Sequence, residues 1–187
     1  MTDSSLPPSL YQRILAERYA KLPVAVQAMH GPLLQGERCV TGRCQIRGAR
    51  HPLAWLCARL AGLPRAQDEV PVTVVFRADN HAELWLRRFG PQRMRSRQWQ
   101  HQSQLMERVG PTRFVFDIET DNAGLQLRLR EFFILGVPIA QRWHPIVHAR
   151  EYDQDGRFHF DVRAELPGIG LLVHYRGYLE HNTVASS

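Results

Sequence analysis

Along the last quarter of the chain, apolar and polar residues alternate so regularly that a strand register can be written from them. Setting Leu166 opposite Leu171 places Phe158 against Leu179, Val162 against Tyr175 and Ala164 against Val173 on one face. The other face then pairs His159 with Tyr178, Asp161 with Arg176 and Arg163 with His174. One face is dry and one is charged, as in an antiparallel sheet packed on one side. A second hairpin obeys the same logic: with Thr120 opposite Leu125, Ile118 meets Leu127 and Phe116 meets Leu129, while Asp117 meets Arg128 behind them.

The period of two runs from Val70 onward. It predicts strands at 72–77, 82–89, 93–100, 104–109, 112–120, 125–133, 146–153, 157–166 and 171–180, with turn residues at Asp79-Asn80, 121–124 and 154–156 between them. Before Val70 the period is helical. Ser9 with Gln12 forms a capping box ahead of Leu10, Ile14, Leu15 and Tyr19; Pro23 restarts a short helix to Met29, and Gly31-Pro32 stops it. A loosely alternating segment follows from Gly36 to Arg47, then a helix from Pro52 to Leu60 that closes at Gly62 and Pro64. The predicted class is α+β, mainly antiparallel β: a strongly curved meander or barrel-like sheet of about nine strands with N-terminal helices. The chain reads as one domain over 1–187, with helices in 1–31, a strand and a helix in 36–64 and the sheet in 70–180. Such a sheet hides its apolar face either by curling around it or by covering it with the helices, and both arrangements enclose apolar space.

Composition narrows the picture only modestly. With 187 residues, one core suffices, and 44% hydrophobic with 22% charged residues is ordinary for a folded soluble chain. The net charge of +6 rests on arginine, since Lys21 is the single lysine; arginine suits carboxylate, phosphate and aromatic partners. Cys39, Cys44 and Cys57 match no zinc or dithiol spacing, the N-terminus lacks a signal-peptide pattern, and no apolar run is long enough to span a membrane. A cytoplasmic protein with unpaired thiols is expected.

Candidate chemistry comes from polar residues that the registers place on the apolar face. Pairing Asp153 with Gly156 sets Glu151 opposite Phe158; extending the other hairpins sets Glu131 opposite Phe114 and Tyr175 opposite Val162. A carboxylate facing an apolar interior needs a cation, a proton or a wet cavity. Arg93, Arg95 and Arg97, which share a strand face with Trp99, are candidate partners. The expected ligand-binding set is therefore Glu151, Tyr175, Arg97, Trp99 and Glu131. The same registers align His148, Asp161 and Arg176 in one row, which lacks a nucleophile and reads first as surface charge pairing. His144 and His148 would stand about 13 Å apart on an extended strand, too far to share an ion. No metal, cofactor or catalytic residue is predicted. Arginines interleaved with Phe89 and Trp99 raise single-stranded nucleic acid as a ligand, but Gly90-Pro91 interrupts the platform, so nucleic acid is not expected.

Phe89-Gly90 with Arg93 and Ser96-Arg97, Glu107-Arg108 with Gly110-Pro111, Gly136-Val137-Pro138, Glu151, Phe158 with Phe160-Asp161-Val162, and Gly170-Leu171 with Val173, Tyr175-Arg176-Gly177 and Tyr178-Leu179 form a further pattern. On these residues the chain, from about Leu10 to Leu179, resembles the bacterial family named domain of unknown function 4166. The resemblance implies a protein that stands alone or follows a saccharopine-dehydrogenase-like NAD-binding domain, so an NAD-dependent oxidoreductase is an implied partner. It carries no activity. Three readings follow: a domain holding a lipophilic or anionic small molecule in a cavity, an interaction module for an oxidoreductase or acidic protein, and a cofactor-independent acid/base enzyme using Glu151 and Tyr175.

Overall fold

Ten antiparallel strands close on themselves. The computed structural model describes residues 6–33, 36–79 and 81–180. The strands are β1 (Glu37–Gly48), β2 (Gln67–Ala78), β3 (Ala82–Phe89), β4 (Gln92–His101), β5 (Gln104–Val109), β6 (Thr112–Asp121), β7 (Gly124–Ile134), the two-residue β8 (Val137–Pro138), β9 (Ile146–Gln154), β10 (Arg157–Leu166) and β11 (Gly170–Glu180). Each pairs with its neighbour in the chain except at β8, which folds back on the end of β7 and leaves β7 to pair with β9. β1 closes the ring by pairing with both β2 and β11. The loosely alternating segment before the sheet is thus its tenth barrel strand. Closure leaves no free edge in the ring and turns the alternating apolar face into an interior.

Closure needs close backbone approach at the seams. At Gly177 a Cβ would collide with the Arg43 carbonyl across the β1–β11 seam, and at Gly124 one would collide with the Glu151 carbonyl across β7–β9. Both glycines sit where a side chain cannot be accommodated.

Three α-helices among the described residues occupy the two ends. α1 (Leu10–Leu15) carries the expected capping box between Ser9 and Gln12 and continues as a 3-10 turn to Lys21. α2 (Val24–His30) begins after Pro23, and its last carbonyls are gathered by the guanidinium of Arg38, which donates to Ala28, Met29, Gly31 and Pro32. These helices precede β1 and plug the end where β2 turns into β3 and β6 into β7. Leu10, Tyr11, Val26 and Met29 are buried there with the strand residues. α3 (Pro52–Leu60) lies in the β1–β2 connection at the opposite end, which we call the mouth, and packs on β11.

The registers of β6–β7 and β10–β11 follow the alternation over most of their length, with local departures. A bulge between Ala164 and Glu165 sets Leu166 opposite Gly170 instead of Leu171. The β9–β10 hairpin pairs Gln154 with Arg157, two residues from the expected register, so Glu151 faces Phe160 and Arg150 faces Asp161. A bulge between Val115 and Phe116 sets Glu131 opposite Val115 and turns it outward, correcting its expected place against Phe114. At the expected Asp79-Asn80 turn, the Asp79 carboxylate accepts the amides of His81 and Ala82; Asn80 lies outside the described residues.

Candidate functional site

The interior is not filled. Side chains from the mouth to the middle of the barrel enclose a cavity of about 600 Å³, within the range of small-molecule sites. Its wall is apolar: Phe114, Phe116 and Leu127 on one side, Val162, Ala164 and Val173 on the other, with Leu60 and Leu135 at the rim. A narrower space of about 50 Å³ continues beyond Arg87 and Tyr175 among Val72, Phe89 and Phe160.

The charged lining residues among those described are Arg87, Glu107 and Glu151, gathered at the inner end. Alternation positions them: Trp85, Arg87 and Phe89 point inward from β3, Met94, Ser96 and Gln98 from β4, and Glu107 from β5. The Arg87 guanidinium donates to Ser96 Oγ at 2.7 Å and to Glu107 Oε1 at 3.5 Å, and lies over the Trp85 ring at 4.6 Å. Gln98 Nε2 donates to the same Glu107 oxygen at 3.2 Å, while its own carbonyl accepts the Tyr11 hydroxyl at 3.4 Å. The first helix is thereby tied to the cavity floor. Glu83 reinforces the joint, accepting the Leu10 amide and the Trp85 indole N–H, each at 3.2 Å.

Glu151 is buried and meets His30 of α2, Nε2 to Oε2 at 2.5 Å. The imidazole stacks on Tyr11 with ring centroids 3.8 Å apart, and its Nδ1 has no hydrogen-bond partner among the described residues. Burial holds the Tyr11 phenol protonated far above the ordinary range, and the fields of Glu151, Glu107 and Glu83 add to it. Tyr175 lines both spaces, and burial pushes its pKa up to about 12. Unlike the other polar groups, its hydroxyl forms no hydrogen bond among the described residues. It is an unused donor facing open space.

Of the expected ligand set, the structure brings Glu151 and Tyr175 to this cavity and leaves three elsewhere. Arg97 and Trp99 point outward from β4 because Met94, Ser96 and Gln98 take its inward positions, and Glu131 is exposed beyond the β7 bulge. The partner of Glu151 is His30 rather than an arginine of β4. The row of His148, Asp161 and Arg176 is broken by the two-residue register difference: Asp161 and Arg176 remain opposite, Arg150 takes the place of His148, and His148 stands opposite Arg163. Asp161 accepts from His174 at 2.8 Å on the outer wall. Arg87, Glu107, Gln98, His30 and Tyr11 complete the inner cluster. Arg87 carries a legible signal, since it sits between Trp85 and Phe89 on the apolar parity of its strand; His30 carries none, because only the packing of α2 brings it to β9.

The family model described as Domain of unknown function (DUF4166) matches residues 22–179. The chain belongs to this family. The matched region spans α2 and the whole barrel except the last residue of β11, so in this DUF4166 protein the family sequence and the closed sheet coincide. No curated protein and no solved structure matches the chain. No helix among the described residues is long and apolar enough to cross a membrane, and no three His, Cys, Asp or Glu side chains among them cluster as metal ligands would.

Proposed function

We propose that this DUF4166 protein binds one small apolar or amphipathic molecule inside the barrel. The observation that carries the reading is the cavity of about 600 Å³, apolar along its wall and polar at its inner end. The ionisable groups at that end already have partners: Arg87 has Glu107, and Glu151 has His30. A charged headgroup would have to displace one of these pairs, at the cost of leaving a buried partner uncompensated. The Tyr175 hydroxyl, which lines the cavity, is without a hydrogen bond among the described residues. The ligand that fits is therefore an apolar body ending in a neutral acceptor such as a carbonyl, ester or hydroxyl, bound by area burial of about 25 cal/mol per Å² and oriented by the phenol.

Binding of the neutral probe N-phenylnaphthylamine tests the cavity. Fluorescence enhancement that disappears in Ala164→Trp, which fills the space, supports the reading, provided the variant melts near the wild type. Enhancement that persists in that variant contradicts it.

One observation favours a second reading, an acid/base enzyme: the Glu151 carboxylate reaches the cavity wall with an imidazole directly behind it. Turnover of carbonyl or ester analogues over about pH 5 to 9 that vanishes in Glu151→Gln supports it; rates equal to buffer remove it.

A further inference from the structure

Among the described residues, the mouth of the barrel gathers most of the exposed large apolar side chains. Around it stand large apolar side chains that nothing covers: Leu135 is 81% exposed, Leu60 69%, Trp143 61% and Trp55 50%. α3 is the clearest case. Of its nine residues only Ala54 is buried, and Leu53, Leu56 and Leu60, at helical spacing, form an exposed apolar stripe beside the opening. Leu135 stands at the tip of the β7–β8 turn in a left-handed conformation (φ 52°), which neither its side chain nor its packing rewards.

Next to these residues lies a field of arginines that form no ion pair among the described residues, the Asp79 carboxylate lying near enough to Arg97 to feel its charge. Arg97, Arg108 and Arg113 stand directly opposite one another across β4, β5 and β6, and Arg88 stands opposite Arg93 on β3 and β4. Neighbouring strands are about 4.8 Å apart, so these like charges repel in the free protein. None of Arg88, Arg93, Arg95, Arg97, Arg108 and Arg113 makes an ion pair among the described residues. Between Leu84 and Phe116 the chain contains one acidic residue, Glu107, and it points into the barrel. The two features are continuous. Arg93, Arg95, Arg97 and Arg108 border a hollow on the outer wall shared with Leu60 and Ala61, and Arg97, Arg108 and Arg113 border a second one shared with Leu135.

We propose that the mouth docks on an anionic lipid bilayer, with Leu53, Leu56, Leu60 and Leu135 entering the interface and the β4–β6 arginines on the headgroup phosphates. Exposed aliphatic side chains ringed by cations are what such a surface complements: the apolar area enters the headgroup region while each arginine gains an ion-pair partner that it lacks among the described residues. A polynucleotide would neutralise the arginines but leave the leucines wet. Docking rests on these surface residues alone. That it places the cavity opening against the source of an apolar ligand rests on the reading given above.

Co-sedimentation of the whole protein with phosphatidylcholine vesicles, with and without phosphatidylglycerol, tests the proposal. Binding should require phosphatidylglycerol, weaken with salt, and fall about fivefold for each arginine neutralised, so that Arg95→Gln with Arg97→Gln loses more than tenfold. Leu53→Ser with Leu56→Ser should weaken it while leaving the melting temperature in place, since both side chains are exposed. Equal binding to both vesicle types, or binding to heparin or RNA with none to vesicles, overturns the proposal. Vesicle binding that survives Ala164→Trp, where probe binding is lost, separates the docking surface from the cavity. An empty cavity with intact docking would remove only the ligand reading.

Discussion

The plugged end of this barrel and the β4–β6 sector of its mouth are built from the same sheet and treat charge differently. At the plugged end, arginines meet carboxylates: Arg77 with Glu37, Arg128 with Glu119, Arg130 with Asp117, Arg150 with Asp121 and Arg157 with Glu180. Behind them, buried polar groups of the helices are hydrogen-bonded to the strands through Tyr11 with Gln98, Leu10 with Glu83 and His30 with Glu151. At the mouth, the β4–β6 arginines face each other and apolar side chains face outward. Ion pairs persist toward the mouth on β1–β2 and β10, Arg43 with Glu69 and Arg163 with Glu165, so it is the β4–β6 sector whose arginines lack ion pairs among the described residues. The plugged end carries the contacts that hold the fold together, and the β4–β6 sector is the surface proposed above to dock.

The largest loss of stability is expected when the plugged end is opened. His30→Ala leaves Glu151 buried without its partner and removes the ring stacked on Tyr11; a loss of about 3–5 kcal/mol in denaturant unfolding is expected. A loss below about 1 kcal/mol would show that α2 is not a structural plug. At the β1–β11 seam, Gly177→Ala forces the strands apart where a Cβ meets the Arg43 carbonyl, and should cost about 2–4 kcal/mol by the same measurement. The mouth should behave in the opposite sense. Arg95→Gln with Arg97→Gln is expected to leave the melting temperature unchanged or to raise it, because it relieves repulsion and removes no bond.

Titration separates the ends on a smaller scale. Hydrogen bonds from Gln104 and Arg130 hold the Asp117 carboxyl below its ordinary value. A depressed folded-state value means stability that is present above the unfolded pKa of about 3.9 and lost as pH falls through the folded value. Asp117→Asn should flatten the acid limb of the stability curve. Tyr175 works in the other direction: between its ordinary value of 10.0 and its folded value of about 12, the unfolded chain ionises first, so stability should fall as pH rises through that window, and Tyr175→Phe should remove that slope.

Much of the barrel was legible because its strands alternate strictly and its turns are short. The capping box at Ser9, the helix from Pro52 to Leu60 and the β10–β11 pairing from Phe158 to Ala164 all follow from local pattern, and the structure has each of them. Three things escaped local pattern. The bulge at Val115 and Phe116 inserts one residue and so reverses the facing of Glu131. Turn geometry at Asp155-Gly156, both with positive φ, moved the β9–β10 register by two, which preserved faces but dissolved the row through His148. The third is tertiary: no spacing in sequence announces that His30, 121 residues before Glu151, will share a bond with it. Glu151 and Tyr175 are legible because they interrupt an apolar face, whereas Arg97 and Trp99 lie on the parity opposite to Met94 and so face outward.

The claim that the barrel holds a small apolar molecule is tested most directly by native mass spectrometry of the purified protein, followed by denaturing extraction of whatever it releases. A one-to-one adduct with a neutral polar end is expected in the wild type and should be absent from Ala164→Trp. A mass equal to the bare chain, together with no thermal shift across a panel of lipids and apolar metabolites, would contradict it.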